Sequence, residues 1–313
     1  MGGTKILAAA INSKGILARV KRPTDSGSTP AKYVRSLAAI IKDAVEEAGI
    51  SDNNVKAVCL GVPGSIDPFT GRIGLAPNLG LKNFNIKERL QKLVPYPVLI
   101  ENDVNLGALG IKNFGLGKNA KDMFVMFIGT GIGGALFFDE KIYRGINYVA
   151  GEIGHFVVQK DGPVCGCGNR GCFEAVASRT AVTRNILGDI KAKKRSIISE
   201  YVQPGNKIKS KALAAAVKAN DKVVVQRISE AADTIGIVLA SITNLLNFDL
   251  IILGGGVIEA LEGFMMPKIQ ESFKSHALKA AAKGVKIKAA KLGDDAALWG
   301  GVALAKEFLN IKV

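Results

Sequence analysis

Acidic residues, cysteines, linker-like segments and long unbroken apolar runs are all scarce in this chain of 313 residues. The most apolar stretch, Ile235 to Gly256, is interrupted by Asn244, Asn247 and Asp249 and ends in three glycines. It therefore reads as a buried helix feeding a buried strand, and no membrane segment is expected. The start, MGGTKILAAAINSKG, has no basic segment followed by an apolar core and a small-residue cleavage site. A cytosolic location is expected from that. Four cysteines in a cytosolic chain of this length argue against a disulfide-built fold and turn attention to metal or inert thiols.

The acidic deficit, 27 Asp and Glu against 42 Lys and Arg, leaves a formal charge of +15. A basic field can concentrate phosphates, so nucleic acid has to be weighed. The densest run, Lys191 to Arg195, has no interleaved aromatic residue, and the other lysines are spread over Lys207 to Lys218 and Lys279 to Lys291. That is the pattern of a solvated basic surface, and no nucleic-acid partner is expected. An anionic substrate such as ATP stays compatible.

What is present is an alternation of apolar runs with segments of helical period, the mark of an α/β fold with two domains. Strands are expected at Lys5–Ile11, Val55–Val62, Pro97–Glu101, Met123–Ile128, Ala135–Phe138, Leu250–Leu253 and Val285–Ala290. Helices are expected at Ala31–Ala48, Val104–Phe114, Glu174–Leu187, Lys211–Ala219, Val223–Leu246, Phe264–Leu278 and Ala297–Leu309. The domain boundary is expected near Asn102: a smaller domain over residues 1–102 and a larger one over 103–296. A glycine turn beside a strand, Gly2 to Lys5, recurs at Gly129 to Gly134, a weak internal echo.

Three motifs carry chemistry. Cys165, Cys167 and Cys172 in CGCGNRGC, with His155 ten residues upstream, make a set of four donors suited to tetrahedral zinc, and the glycines between them let the backbone wrap one ion. Cys59, in the apolar run AVCLGV, reads as a core residue. Glu101, Asn102 and Asp103 stand where a buried strand passes into a helix. There Asp103 could accept the proton of a substrate hydroxyl while Asn102 holds a neighbouring one, or Asp103 could be the helix N-cap, which spacing alone favours. In FVMFIGTGIGGALFF, two strands flank Gly129-Thr130-Gly131-Ile132-Gly133-Gly134, whose amides and Thr130 hydroxyl could meet phosphate, although an ordinary glycine hairpin reads equally well. Gly254-Gly255-Gly256 is a second glycine turn at a strand end that could admit the adenosine portion of a nucleotide.

Taken in order, GGTK at the start, GVPG at Gly61, APNL at Ala76, ENDVN at Glu101, GTGIGGA at Gly129, GEIGH joined to CGCGNRGCFE, and LGGGV at Leu253 resemble the ROK kinases. The likeness runs from the first residues past Val257 and is most like a zinc-containing glucokinase. It implies an actin-like ATPase (ribonuclease H-like) fold with a cleft between the two domains, the C-terminal helix, about 297–313, returning to the first. It implies ATP-dependent phosphorylation of glucose at the 6-hydroxyl, a step of glycolysis, with Asp103 as general base. Sugar hydroxyls would be held by Asn78, Asn102, Glu152, His155 and Glu174, with Gly64 close to the ring. ATP phosphates and Mg2+ would meet Gly2, Gly3, Thr4 and Lys5 and the turn Gly129, Thr130, Gly131, Gly133 and Gly134. Zn2+ would sit on His155, Cys165, Cys167 and Cys172, with the other ring nitrogen of His155 facing the sugar. A homodimer or higher homo-oligomer is implied too.

One departure stands out. The family's first motif is a strand leading into Asp-x-Gly-Gly-Thr-Lys, and here Met1 occupies the x. The Asp that would position magnesium is not in the sequence, and the strand at Lys5–Ile11 is expected to expose an edge. The same resemblance includes sugar-binding repressors, which carry an N-terminal helix-turn-helix; this chain begins at the phosphate turn, so a kinase is expected over a regulator. Kinases for mannose, fructose, N-acetylglucosamine or N-acetylmannosamine are the alternatives, as is a sugar-binding protein without catalysis.

Overall fold

In the first part of the chain, short strands and helices follow one another as β1 (Lys5–Asn12), β2 (Gly15–Pro23), α1 (Pro30–Glu47), β3 (Val58–Val62), β4 (Ser65–Ile66), β5 (Arg72–Ala76), β6 (Leu81–Asn85), α2 (Ile86–Gln91), β7 (Val98–Asn102) and α3 (Asp103–Phe114). The second part holds β8 (Met123–Ile128), β9 (Ile132–Phe138), the short β10 (Lys141–Tyr143), α4 (Phe173–Ala177), α5 (Arg179–Lys191), α6 (Ser210–Lys218), α7 (Lys222–Leu246), β11 (Leu250–Gly254), α8 (Gly256–His276), α9 (Lys279–Ala282) and β12 (Lys286–Ala289). The closing helix is α10 (Asp295–Leu309). This computed structural model describes residues 5–24, 29–201 and 208–311. Among them, no helix is long and apolar enough to cross a membrane.

The chain divides into two units, one of Met1–Lys118, Ile142–Ala150 and Asp294–Val313, the other of Asn119–Lys141 and Gly151–Gly293. The division after Lys118 lies beyond the expected boundary near Asn102, because α3 packs along α10 and stays with the first unit. Their contact is close: a Cβ on Gly300 would stand 1.7 Å from the Leu106 carbonyl oxygen, and one on Gly110 1.9 Å from that of Ala296. Only glycine at these crossings lets the two helix backbones meet.

In the first unit, β1 and β2 form an antiparallel hairpin, β3 and β7 a parallel pair, and β4, β5 and β6 an antiparallel three-stranded sheet. Its core gathers Leu37 and Ile40 of α1, Val62, Ile73, Ile86, Leu90 and Ile100, each at most 1% exposed. In the second unit, β8 runs antiparallel to β9 and parallel to β11, which pairs in parallel with β12. The apolar stretch from Ile235 resolves as expected into the second half of α7 and the wholly buried β11. Asn247, in the left-handed conformation, ends α7 so that the chain can turn into β11.

Several expected elements are corrected. The helix expected over Glu174–Leu187 is broken at Ser178, whose extended backbone ends α4 and whose hydroxyl caps α5 through the Ala181 amide at 3.2 Å. The helix expected from Phe264 begins already at Gly256 and is kinked at Leu261. Strands β2, β4, β5 and β6 were not expected; in β2, Arg19, Lys21 and Arg22 face solvent and mask the pattern.

Candidate functional site

In the first unit the geometry converges on the passage from β7 to α3. The parallel register sets Gly61 beside Glu101 and Val62 beside Asn102. The helix cap is Asn102 and not Asp103: Asn102 Oδ1 accepts from the amides of Val104 (2.9 Å) and Asn105 (3.1 Å), while its Nδ2 donates to the Gly64 carbonyl at 3.0 Å. Gly64 has φ 106°, and a Cβ there would lie 2.2 Å from the Leu75 carbonyl oxygen. No other residue holds that carbonyl where Asn102 can reach it.

Asp103 is the first helical residue; its Oδ1 shares the Val104 amide with the Asn102 cap, at 3.0 Å. Burial raises its carboxyl above the usual carboxylate range, against the pull of the Val104 amide and its own. Next to it, Glu101 is 1% exposed and fully engaged, accepting from the Asn102 amide, from Asn105 Nδ2 and, at 2.7 Å, from Arg144 Nε. Arg144 also clasps Glu307 of α10 with two hydrogen bonds of 2.9 and 3.1 Å. Sequence reasoning missed this ion pair, since nothing near Arg144 marks it. Asn78 is exposed on a single 3-10 turn, Pro77–Leu79, between β5 and β6. Gly2, Gly3 and Thr4 lie outside the described residues, and Lys5, the first residue of β1, has its ammonium 3.5 Å from Asp294.

In the second unit, two glycine turns come together. Residues Gly129–Gly131 form the turn between β8 and β9, closed by the Gly129 amide on the Gly131 carbonyl at 2.9 Å. Gly133 and Gly134 stand in β9 instead of the turn. Because β11 lies parallel beside β8, with Gly254 opposite Phe127, the turn at Gly255 falls against the end of β8. A Cβ on Gly255, at φ 88°, would meet the Ile128 carbonyl oxygen at 2.6 Å. Helix α8 begins there, at the carboxyl ends of two parallel strands, where α/β sheets bind ligands and a helix N-terminus favours an anion.

Two side chains brace this turn. Glu174 accepts from the Ile132 amide at 2.8 Å. Arg179 donates to Thr130 Oγ1 at 2.6 Å, and its own amide donates to the Gly129 carbonyl at 3.0 Å. A guanidinium held at a glycine turn could meet a phosphate. Arg179 was not among the expected residues; its signal, an Arg just after a Ser N-cap, was hidden while α4 and α5 were read as one helix.

His155, Cys165, Cys167 and Cys172 are brought together, their donor atoms all within 4.8 Å of one another. His155 Nδ1 lies 3.7 Å from Cys165 Sγ, and Cys167 Sγ 3.7 Å from Cys172 Sγ. Cys165 and Cys172 are buried, and the loop closes through the Cys165 amide on the Asn169 carbonyl and the Gly168 amide on the Cys165 carbonyl. His155 Nε2 points the other way, 3.8 Å from Glu152 Oε2. The cluster is one that could hold a metal ion. Cys59 is a half-buried strand residue whose thiol is pushed up to about 12 by burial, apart from this cluster.

The family described as ROK family matches residues 1–308. A protein named glucokinase from Halalkalibacterium halodurans is 32% identical over 99% of this chain and 94% of its own length. A xylose repressor from Caldicellulosiruptor bescii is 31% identical over 89% of this chain and 69% of its own. Among solved structures, a ROK family glucokinase from Streptomyces griseus in complex with glucose and AMPPNP superposes with a TM-score of 0.85 at 31% identity, over 98% of this chain and 97% of the other. The fold is accordingly the actin-like ATPase fold.

Proposed function

This chain belongs to the ROK family, and from that premise we propose that it is a sugar kinase that transfers the terminal phosphoryl group of ATP to the 6-hydroxyl of glucose. The observation that carries the reading is Asp103: a carboxyl just past a strand end, beside the Asn102 cap, with its basicity raised by burial. Such a group suits proton removal from a hydroxyl near neutral pH better than an exposed Asp does. As the hydroxyl oxygen attacks the terminal phosphorus, its proton passes to an Asp103 carboxylate oxygen and ADP leaves. ATP enters as its magnesium complex. The turn at Gly129, Thr130 and Gly131, with Arg179, and the turn at Gly254–Gly256 would take the nucleotide, and their amides and guanidinium would hold the phosphates in line, which is most of what catalyses phosphoryl transfer.

Glucose hydroxyls would be taken by Asn78, Asn102, Glu152, His155 and Glu174, with Gly64 against the ring. Two ligands 2.3 Å from a tetrahedral ion are about 3.8 Å apart, close to the sulfur spacing here, so His155, Cys165, Cys167 and Cys172 fit zinc. The ion would serve as a structural clamp that fixes the His155 ring. His155 then presents Nε2, beside Glu152, as a donor of fixed direction.

The reading is tested by ADP release over a panel of glucose, mannose, fructose, N-acetylglucosamine, N-acetylmannosamine and xylose. Glucose-dependent ADP release above all the others supports it; a different preferred sugar keeps the kinase and replaces the substrate. Sugar binding with no ADP release from any of them would favour a binding protein of the repressor kind, the reading the xylose-repressor likeness supports.

A further inference from the structure

Glu101 is a carboxylate with almost no access to water, 1% exposed, and its two oxygens are used differently. Oε1 accepts from the Asn102 amide at 2.9 Å and from Asn105 Nδ2 at 3.1 Å, so it spans the first turn of α3. Oε2 accepts from Arg144 Nε at 2.7 Å. Among the described residues, Arg144 is the cation paired with Glu101, and its own side chain is 11% exposed. A buried carboxylate is tolerated only with such a counter-charge and with donors around it.

Arg144 arrives on a segment, Ile142–Ala150, that belongs to the first unit although the chain on either side of it belongs to the second. The segment is seated on α10. The Arg144 guanidinium clasps Glu307 through both terminal nitrogens and lies 5.7 Å from the centroid of the Phe308 ring. Phe69 stands 5.4 Å from Phe308 and 5.6 Å from Tyr148, and the Ala150 amide closes the loop on the Arg144 carbonyl at 3.0 Å. With the fork held this way, Nε is the nitrogen left to aim at Glu101. A lysine, one point charge without a fork, could not serve both carboxylates in fixed directions.

We infer that Arg144 is a positioning residue: it holds the Glu101 carboxylate as a brace under the Asn102–Asp103 turn and so sets the place from which Asp103 meets a substrate hydroxyl. The brace is a property of the turn; its effect on turnover rests on the kinase reading. Without Arg144, Glu101 would keep a buried charge and no counter-charge, a worse state than losing both partners together. The carboxylate would protonate or turn away, and either change loosens the grip of Oε1 on the Asn102 amide and on Asn105. Asn105 is 4% exposed, so its amide has no water to turn to. Asn102 carries the cap of α3 and the bond to the Gly64 carbonyl, and Asp103 follows it directly in the chain.

Three variants separate a brace from an ordinary ion pair. Arg144→Met keeps an apolar stem and removes the cation. Glu101→Gln combined with Arg144→Met removes the buried charge along with its partner and leaves a carbonyl oxygen for Asn102 and Asn105. Glu307→Gln loosens the outer clasp alone. Two quantities are read: hydrogen exchange by NMR at the Val104 and Asn105 amides, which the Asn102 cap protects, and kcat with KM for each substrate. Arg144→Met is expected to speed exchange about tenfold and to lower kcat about tenfold or more, with KM for ATP within about twofold of the parent. The double variant should return exchange to within about threefold of the parent, and Glu307→Gln should change either quantity by less than that.

Parental exchange in Arg144→Met would sink the inference. Equal effects of Glu307→Gln and Arg144→Met would overturn it by making the hold on α10 the whole role of Arg144. If Arg144→Met does not fold, the double variant decides: parental exchange supports the brace, and failure to fold or to restore exchange makes Arg144 a packing residue on Phe308. Faster exchange with unchanged kcat would take Arg144 out of catalysis. The exchange result needs no turnover, so absence of ADP release in the parent would end the kinase reading and leave the brace standing.

Discussion

Asp103 and Asn102 divide between them what the sequence offered to one residue. Spacing favoured Asp103 as the cap, because Asp at a helix start most often is one; only the positions of the Val104 and Asn105 amides assign the cap to Asn102. A raised carboxyl has a signed consequence. Its ionised form is the disfavoured one, so native stability falls as the pH rises from the ordinary Asp value through the raised folded-state value, and the full contribution is present only below the ordinary Asp value. Asp103→Asn is expected to melt higher than the parent at neutral pH, with the difference vanishing at pH 3, while turnover falls by about two to four orders of magnitude and glucose still binds. The acid limb of the parent's kcat/KM profile should lie above the ordinary carboxylate range; a limb at or below pH 4 would return Asp103 to a structural role. Arg179 gives a second prediction at this scale. Arg179→Ala is expected to raise KM for ATP roughly tenfold with KM for glucose little changed, since one charge-assisted contact to phosphate is worth about 1.5–3 kcal/mol. Steady-state kinetics with each substrate varied in turn checks it, and a rise confined to glucose would remove Arg179 from the nucleotide.

At the scale of elements, the strands most legible in the sequence were those buried on both faces. Met123–Ile128 was expected with the bounds it has, because a run of apolar residues between polar turns has few other uses. Strands β2 and β5 were illegible, their exposed charged and small residues carrying no strong period. The pairing of α3 with α10 was invisible too, since glycines in helical stretches read as weakness. Gly300→Ala decides between propensity and packing. In an isolated helix the added methyl would stabilise by about 1 kcal/mol; here it would enter the Leu106 carbonyl, and a net loss of about 2–3 kcal/mol is expected in urea unfolding. A gain would mean the helices can part without cost.

For the whole molecule, a large core in each unit among the described residues makes separate responses to damage possible. If zinc holds the cysteine cluster, chelation or Cys167→Ser should release about one equivalent of metal and speed amide exchange across residues 153–173, weakening sugar binding through His155, while α1 and β7 keep their protection. Purified protein with no bound metal would refute this. The amino-acid sequence by itself determined the fold class, the existence of the Cys/His cluster and the glycine turns, because each is written in local composition: period, ligand type within a few residues, glycine where backbone must bend. Tertiary structure alone decided that Gly254–Gly256 lies against the turn after β8, that Arg179 reaches Thr130 and that Arg144 joins Glu101 to Glu307. Those are contacts between residues tens to hundreds of positions apart, set by strand register and helix packing, and no local pattern in the chain encodes them.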